Sequence, residues 1–185
     1  IMGPILQSNG LANQEVFNSG AKLVAGQNAA IVTNQFIDQF ITFGGSGLTL
    51  GLVCTMLYFS KSRQYKELGK LSIIPGLFNI NEPIIFGFPV VFNPIMAIPF
   101  ILAPVISVIM VYTSIATGIV EPFRAISVPW TTPFIISGFL IGGVKAAILQ
   151  IAVFSMTVAV YFPFFKYQDK LAYQEEQKIG TEATV

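Results

Sequence analysis

The run Leu-Phe-Asn-Ile-Asn-Glu-Pro-Ile-Ile-Phe-Gly-Phe-Pro-Val-Val-Phe-Asn-Pro, residues 77–94, decides how this chain folds. It is apolar enough to sit among lipid tails, yet Asn79, Asn81, Glu82-Pro83 and Pro89 interrupt it, and Pro75-Gly76 stands just upstream. Proline and polar side chains cannot continue a lipid-facing helix without orphaning backbone groups. Such backbone survives at membrane depth only where protein buries it or water lines it. Residues 71–92 are therefore expected to form a re-entrant hairpin. A second broken stretch, 126–143, carries Pro129, Thr131-Thr132-Pro133 and Gly138 and is given the same expectation. Each precedes a long, nearly charge-free stretch, 94–118 and 146–165, that reads as a full crossing.

Composition supports a lipid solvent. The 185 residues are 54% hydrophobic and 10% charged, with a mean hydropathy of +0.71. Soluble domains carry about 25% charged residues, and a core cannot account for missing surface charge. The expected class is an all-α polytopic membrane protein, with transmembrane helices and two re-entrant helical hairpins. A net charge of +1 leaves no field for nucleic acid, and the basic residues form no stripe. There is no histidine, so the commonest general base, the commonest transition-metal ligand and any phosphohistidine relay are excluded from this chain. The single cysteine, Cys54, lies in an apolar run and reads as an ordinary buried thiol. No cofactor or metal is expected. The chain opens at Ile1 in mid-pattern with no signal-peptide form, as a piece of a longer protein would.

Outward from the deciding run, residues 1–30 are polar and small and read as an extramembrane loop. Residues 31–43 have a helical period, with Asn34, Gln35, Asp38 and Gln39 on one side, as in an interface-lying helix. Residues 40–60 carry no charge and read as a span. There, Gly47-x-x-x-Gly51 suits close helix packing. A nucleotide loop is the alternative, but no strand precedes these glycines and no Gly-Lys-Ser/Thr follows. Lys61, Arg63, Lys66 and Lys70 form a short basic loop that places 61–70 in the cytoplasm. Residues 166–185 read as a cytoplasmic tail whose last ten residues are disordered and solvated. Glu121 and Arg124 read as an exposed loop pair, and Lys145 as a snorkelling cation.

Two broken segments in corresponding positions point to a transporter binding site. An acid at the centre of a span costs at least about 2.5–3.5 kcal/mol, so Glu82 must face a cavity or a partner. With Asn79 and Asn81 it offers acceptors and donors suited to a neutral polyhydroxyl ligand. The other reading of Glu82 is a carboxylate capping the half-helix that begins at Pro83, and one residue can do both. Trp130 presents a flat apolar face suited to a pyranose ring, with the Thr131 and Thr132 hydroxyls beside it. An interfacial anchor is the rival reading of that indole.

Residues 77–94, the companion Val128-Pro129-Trp130-Thr131-Thr132-Pro133 and the cluster Gly44-Gly45-Ser46-Gly47 resemble phosphotransferase-system enzyme IIC, in its lactose/cellobiose/diacetylchitobiose branch. The resemblance covers most of residues 31–165, and the long Asn-Glu-Pro run is its specific part. It implies the C-terminal part of a homodimeric inner-membrane permease with re-entrant hairpins, dimerised through an N-terminal half. Such a permease brings in a β-linked disaccharide while a separate enzyme IIB, charged with phosphate on a cysteine, phosphorylates it. The resemblance makes Glu82 the sugar-contacting carboxylate implicated in phosphorylation, and Trp130 a ring-stacking position. The family's site histidine would lie upstream of residue 1. A proton-coupled sugar transporter using Glu82 is the rival, weakened because no second acid, Arg or His is placed within the spans. A transport-free membrane scaffold would not explain the two broken segments.

Overall fold

The computed structural model describes residues 2–88 and 90–182. Pro89, counted above among the breakers, lies outside the described residues, as do the last three residues of the tail. The described residues form helices α1 (Met2–Asn18), α2 (Asn34–Phe40), α3 (Leu50–Phe59), α4 (Arg63–Leu77), α5 (Glu82–Gly87), α6 (Pro94–Ala116) and α7 (Ile136–Glu182), with a 3₁₀ turn at Val90–Phe92. No β-strand occurs among them.

Residues 1–30 are not simply a loop, since α1 occupies more than half of them. The asparagines that suggested a solvated segment bind backbone instead. Buried Asn13 donates to the carbonyls of Ala30 and Phe123, each at 2.8 Å, and accepts from the Ala30 N–H at 2.8 Å. Asn9 donates to the Val32 carbonyl at 2.9 Å. In α2 the helical period holds, and Thr33 caps it by accepting from the Phe36 N–H. Phe36 and Phe40 enter the protein core, where Phe40 stacks on Phe123 at 4.8 Å. Gln39, read above on the polar face, is buried as well.

The expected span 40–60 is helical only over the ten residues of α3, about 15 Å long. That is half the hydrocarbon thickness. Gly44, Gly45, Gly47 and Leu48 all take left-handed backbone and fold residues 41–49 into a compact loop. Gly47 and Gly51 do mark close approaches, but of two kinds. A Cβ at Gly51 would sit 2.4 Å from Thr157 Oγ1 on α7, which is helix packing. A Cβ at Gly47 would sit 2.3 Å from the Phe100 ring of α6, so there it is a loop that packs against a helix. The buried Tyr161 hydroxyl locks that loop by donating to the Gly47 carbonyl at 2.7 Å.

Residues 61–70 are helical from Arg63, a correction to the basic loop. Carboxylates from α7 make this start possible. Buried Asp169 accepts from Ser60 Oγ and from the N–H groups of Lys61 and Ser62. Glu176 accepts from Ser62 Oγ at 2.7 Å and from the Gln64 and Arg63 N–H groups, each at 3.1 Å. The Ser62 hydroxyl, then the Gln64 N–H, hold the Glu176 carboxyl below the usual carboxylate range. A helix N-terminus favours this pairing.

Two helices are long and apolar enough to cross a membrane, α6 and α7. The 23 residues of α6 span about 35 Å. Its N-terminus is capped by Asn93, whose side chain accepts from the Ile95 and Met96 N–H groups. Ile98, Ile101, Val105 and Ile109 stay exposed along one side of α6, as do Phe139, Leu140, Val144 and Ile148 along α7. In α7 the backbone breaks at Gly142 and Gly143, then runs on through the expected span 146–165 to Glu182. Most of the final ten residues, expected to be disordered, are thus helical. Between α2, α3, α6 and α7 lies the core, built on Phe36, Phe40, Phe43, Leu52, Met56, Val111 and Phe165.

The two broken segments differ. The first has two helical arms, the end of α4 and then α5. The second is not a helical hairpin: residues 121–129 form no helix, and its only helix starts at Ile136. Buried Gln150 starts that helix by accepting from the Ile135 N–H at 2.6 Å and the Gly138 N–H at 3.0 Å. Glu121 and Arg124 form no ion pair among the described residues; Arg124 lies over the Phe17 ring at 3.9 Å.

Candidate functional site

α4 stops because Asn79 turns left-handed (φ 66°) just past its end, while the Ile80 N–H closes back onto the Pro75 carbonyl at 3.0 Å. α5 then starts with Glu82 in its first turn, and the Asn81 carbonyl accepts from Ile84 and Ile85. Two short helices thus meet at a tight turn. The turn carries all three polar residues of the Asn-Ile-Asn-Glu run.

The Asn79 amide is spent within the protein. Its oxygen accepts from the Gly44 N–H at 2.6 Å, and its nitrogen donates to the carbonyls of Trp130 and Thr132. One side chain therefore ties the glycine loop, the first broken segment and the second into one unit. Asn81 donates to the Ser46 carbonyl at 2.9 Å. Glu82 is exposed, and its carboxylate makes no hydrogen bond among the described residues. The capping alternative needed backbone N–H donors at that carboxylate, and none is engaged.

These groups border one open cavity of about 270 Å³. Asn79, Asn81 and Glu82 line it from the first segment, and Trp130 from the second. The indole is 62% exposed there. Gly45 and Ser46 add the glycine loop. Thr131 is not among the lining residues. Asp38 and Thr42, from α2 and the turn after it, complete the wall. The sequence reading placed Asp38 on a polar helix face without joining it to the site. The Thr42 hydroxyl donates to the Asp38 backbone carbonyl at 2.9 Å, but no local spacing in the sequence signals that the Asp38 carboxylate joins the site. Two carboxylates, the Asn81 amide and one indole around a cavity can accept and donate hydroxyl hydrogen bonds while covering an apolar ring face. Among the described residues no cluster of His, Cys, Asp or Glu could hold a metal ion.

Residues 1–104, which include the glycine loop and Glu82, match the family described as Phosphotransferase system, EIIC. The chain belongs to the phosphotransferase system EIIC family. It is 48% identical over 181 residues to the cellobiose-specific EIIC component of Geobacillus stearothermophilus, covering 96% of this chain and 39% of that protein. It is 42% identical over 181 residues to the lichenan permease IIC component of Bacillus subtilis (strain 168), covering 97% and 39%. The crystal structure of the transporter ChbC, the IIC component of the N,N'-diacetylchitobiose-specific phosphotransferase system, superposes with a TM-score of 0.89 at 42% identity. That match covers 95% of this chain and 40% of ChbC. This EIIC chain therefore spans about 40% of the length of these relatives. Family membership and the two apolar helices make it a membrane protein.

The glycine loop sets the position of the site. A Cβ at Gly45 (φ 87°) would lie 2.3 Å from Cγ of Asn81. Left-handed backbone costs a residue with a Cβ about 1–2 kcal/mol before any clash. Gly45→Ala in the full-length EIIC protein is expected to lower the melting temperature by roughly 2–8 °C. An unchanged melting temperature would show that the turn has room to yield.

Proposed function

We propose that this chain is the sugar-binding C-terminal part of a permease that translocates a β-linked disaccharide for phosphorylation by enzyme IIB. The observation that carries the reading is the convergence of Glu82, Asn81 and Trp130, from separate broken segments, on one cavity. The relatives' names supply the substrate class: cellobiose, lichenan, oligo-beta-mannoside and lactose. At about 270 Å³ the cavity falls just below the usual range of ligand sites, roughly 300–1,000 Å³. The rest of the protein supplies the remaining walls and the homodimer contact. Glu82 accepts hydroxyl hydrogens from the sugar and takes the proton of the hydroxyl that attacks phosphorus. Asn81 orients, and Asn79 holds the loops that frame the site. Trp130 covers a ring face, and Thr131 offers a hydroxyl at the rim. The phosphorus–sulfur bond to the IIB cysteine breaks as the new phosphorus–oxygen bond forms, leaving the thiolate. A disaccharide panel on the full-length protein, scored for binding and for phosphoenolpyruvate-dependent phosphorylation, tests this. Binding of no β-linked disaccharide would overturn it.

Trp130 separates a sugar site from a lipid anchor. Trp130→Ala is expected to weaken disaccharide binding by about 1–3 kcal/mol, while Trp130→Phe retains much of the affinity. Calorimetry on purified, monodisperse protein checks this. Unchanged affinity in the Ala variant would assign the indole to the interfacial belt.

In this reading residues 61–70 and the helical tail face the cytoplasm, and because α6 crosses the bacterial inner membrane between them, the two broken segments enter it from opposite sides. The basic residues Lys61, Arg63, Lys66 and Lys70 support that orientation. Lys66→Cys is expected to react with a membrane-impermeant thiol reagent only in inverted vesicles. Labelling from the outside of intact cells would reverse the arrangement.

One observation favours the second reading. Asp38 lines the cavity with Glu82, supplying the second carboxylate that a proton-coupled transporter would use. Uptake that requires phosphoenolpyruvate and persists with an uncoupler decides for the phosphotransferase. The opposite pattern decides for proton coupling.

A further inference from the structure

We propose that the groove bordered by Lys61, Lys166 and Lys170 is a binding site for the headgroup of an anionic phospholipid. The groove encloses about 400 Å³ at the end of α3, against the side of α7. Lys166 and Lys170 are one helical turn apart on α7, and Lys61 enters just past the end of α3. Asp169 lies in the same groove and offsets one of these three positive charges, without forming an ion pair with any of them. Its carboxylate is buried and occupied by Ser60 Oγ and the Lys61 and Ser62 N–H groups. None of the three lysines forms an ion pair among the described residues, where the recorded pair is Lys70 with Glu67. The site therefore carries an excess of positive charge in a concave setting.

The aromatic surface beside the groove distinguishes a lipid from a free anion. Phe59 and Phe162 meet edge to face at 5.1 Å. Tyr58, Phe59 and Tyr167 are exposed at the same end of the two helices. Aromatic side chains at this position mark the membrane–water boundary. Lys166 bridges the layers, donating to the Phe59 carbonyl at 3.2 Å with its ammonium 5.9 Å from the Phe162 ring. A phosphate among the lysines would continue into acyl chains along these exposed rings. Inorganic phosphate would use the lysines alone. The inference rests on the membrane character of the family and not on the sugar assignment.

The test uses full-length protein in mixed micelles, titrated with dioleoylphosphatidylglycerol, dioleoylphosphatidylcholine or inorganic phosphate, with bound lipid read by native mass spectrometry. Phosphatidylglycerol is expected to bind in preference to phosphatidylcholine. Each lysine near an anionic surface contributes about fivefold in affinity, so K61Q/K166Q/K170Q should lose on the order of a hundredfold. The charge-keeping K61R/K166R/K170R variant should retain the preference, and the exposed Lys170→Gln alone should lose about fivefold should the triple variant fail to fold. Equal retention of the two lipids, or an unchanged preference in the glutamine variants, overturns the proposal. Displacement of phosphatidylglycerol by millimolar phosphate would assign the groove to a free anion and also overturn it. So would glutamine variants that keep the lipid but lose phosphorylation by IIB, which would make the groove a protein contact.

Discussion

Glu82→Gln in the full-length protein is expected to weaken disaccharide binding by about 1.5–3 kcal/mol, roughly tenfold to 150-fold, and to abolish most phosphorylation. The amide keeps the size of the side chain but loses the charge and one accepting oxygen. It also cannot take a proton from an attacking hydroxyl. Folding should be spared, because the carboxylate is exposed and makes no hydrogen bond among the described residues. The melting temperature without sugar should therefore match wild type while affinity and turnover fall together. Glu82→Asp separates the two roles: it restores the charge about one methylene short, so part of the binding returns and less of the turnover. Normal binding and phosphorylation in Glu82→Gln would reduce this residue to a helix-end charge. The Asp38 carboxylate would then be the remaining acid in the cavity.

Gln150→Met is expected to cause the largest loss of stability, at least about 3 kcal/mol. Gln150 is fully buried, and each end of its amide is engaged. The oxygen accepts from the N–H groups of Ile135 and Gly138. The nitrogen donates to the Gln39 carbonyl at 2.7 Å and to Ser137 Oγ at 2.9 Å. Methionine fills similar space but leaves those backbone groups orphaned at roughly 1–3 kcal/mol each. Ile135 is itself left-handed (φ 73°), so the turn relies on this amide to hold its shape. The loss should reach function, since the released turn follows Trp130 by a few residues. The expected result is a lower melting temperature together with weaker sugar binding, with Gln150→Glu intermediate because its oxygen can still accept. A wild-type melting temperature in Gln150→Met would mean that other groups start α7.

Some of this was readable along the chain because it depends on neighbours in sequence. Proline and asparagine at 75–83 end one helix and start another wherever the segment lies, so a break beside Glu82 was expected and found. The apolar run that became α6 is legible for the same local reason. Asn79 shows the limit. Its residue type suggested a sugar donor, but contacts to residues 44, 130 and 132 made it a cross-link. Asp38 shows the converse, a helix-face acid that entered the site only when the loop after α2 brought it beside Glu82.

The sequence by itself determined the solvent, the helical class, the places where helices must break and the residue types available for chemistry. These follow from hydropathy and from backbone rules that act within a few residues. Only the tertiary structure decided that 40–60 is a glycine loop plus a short helix, that Asp169 and Glu176 seat the start of α4, and that Gln150 starts α7. Each of these depends on pairing a polar group with a partner beyond its own neighbourhood in the chain: Asp169 and Ser62 are 107 residues apart. A buried hydrogen-bond donor or acceptor must be satisfied, but composition and periodicity carry no information about which distant partner will satisfy it.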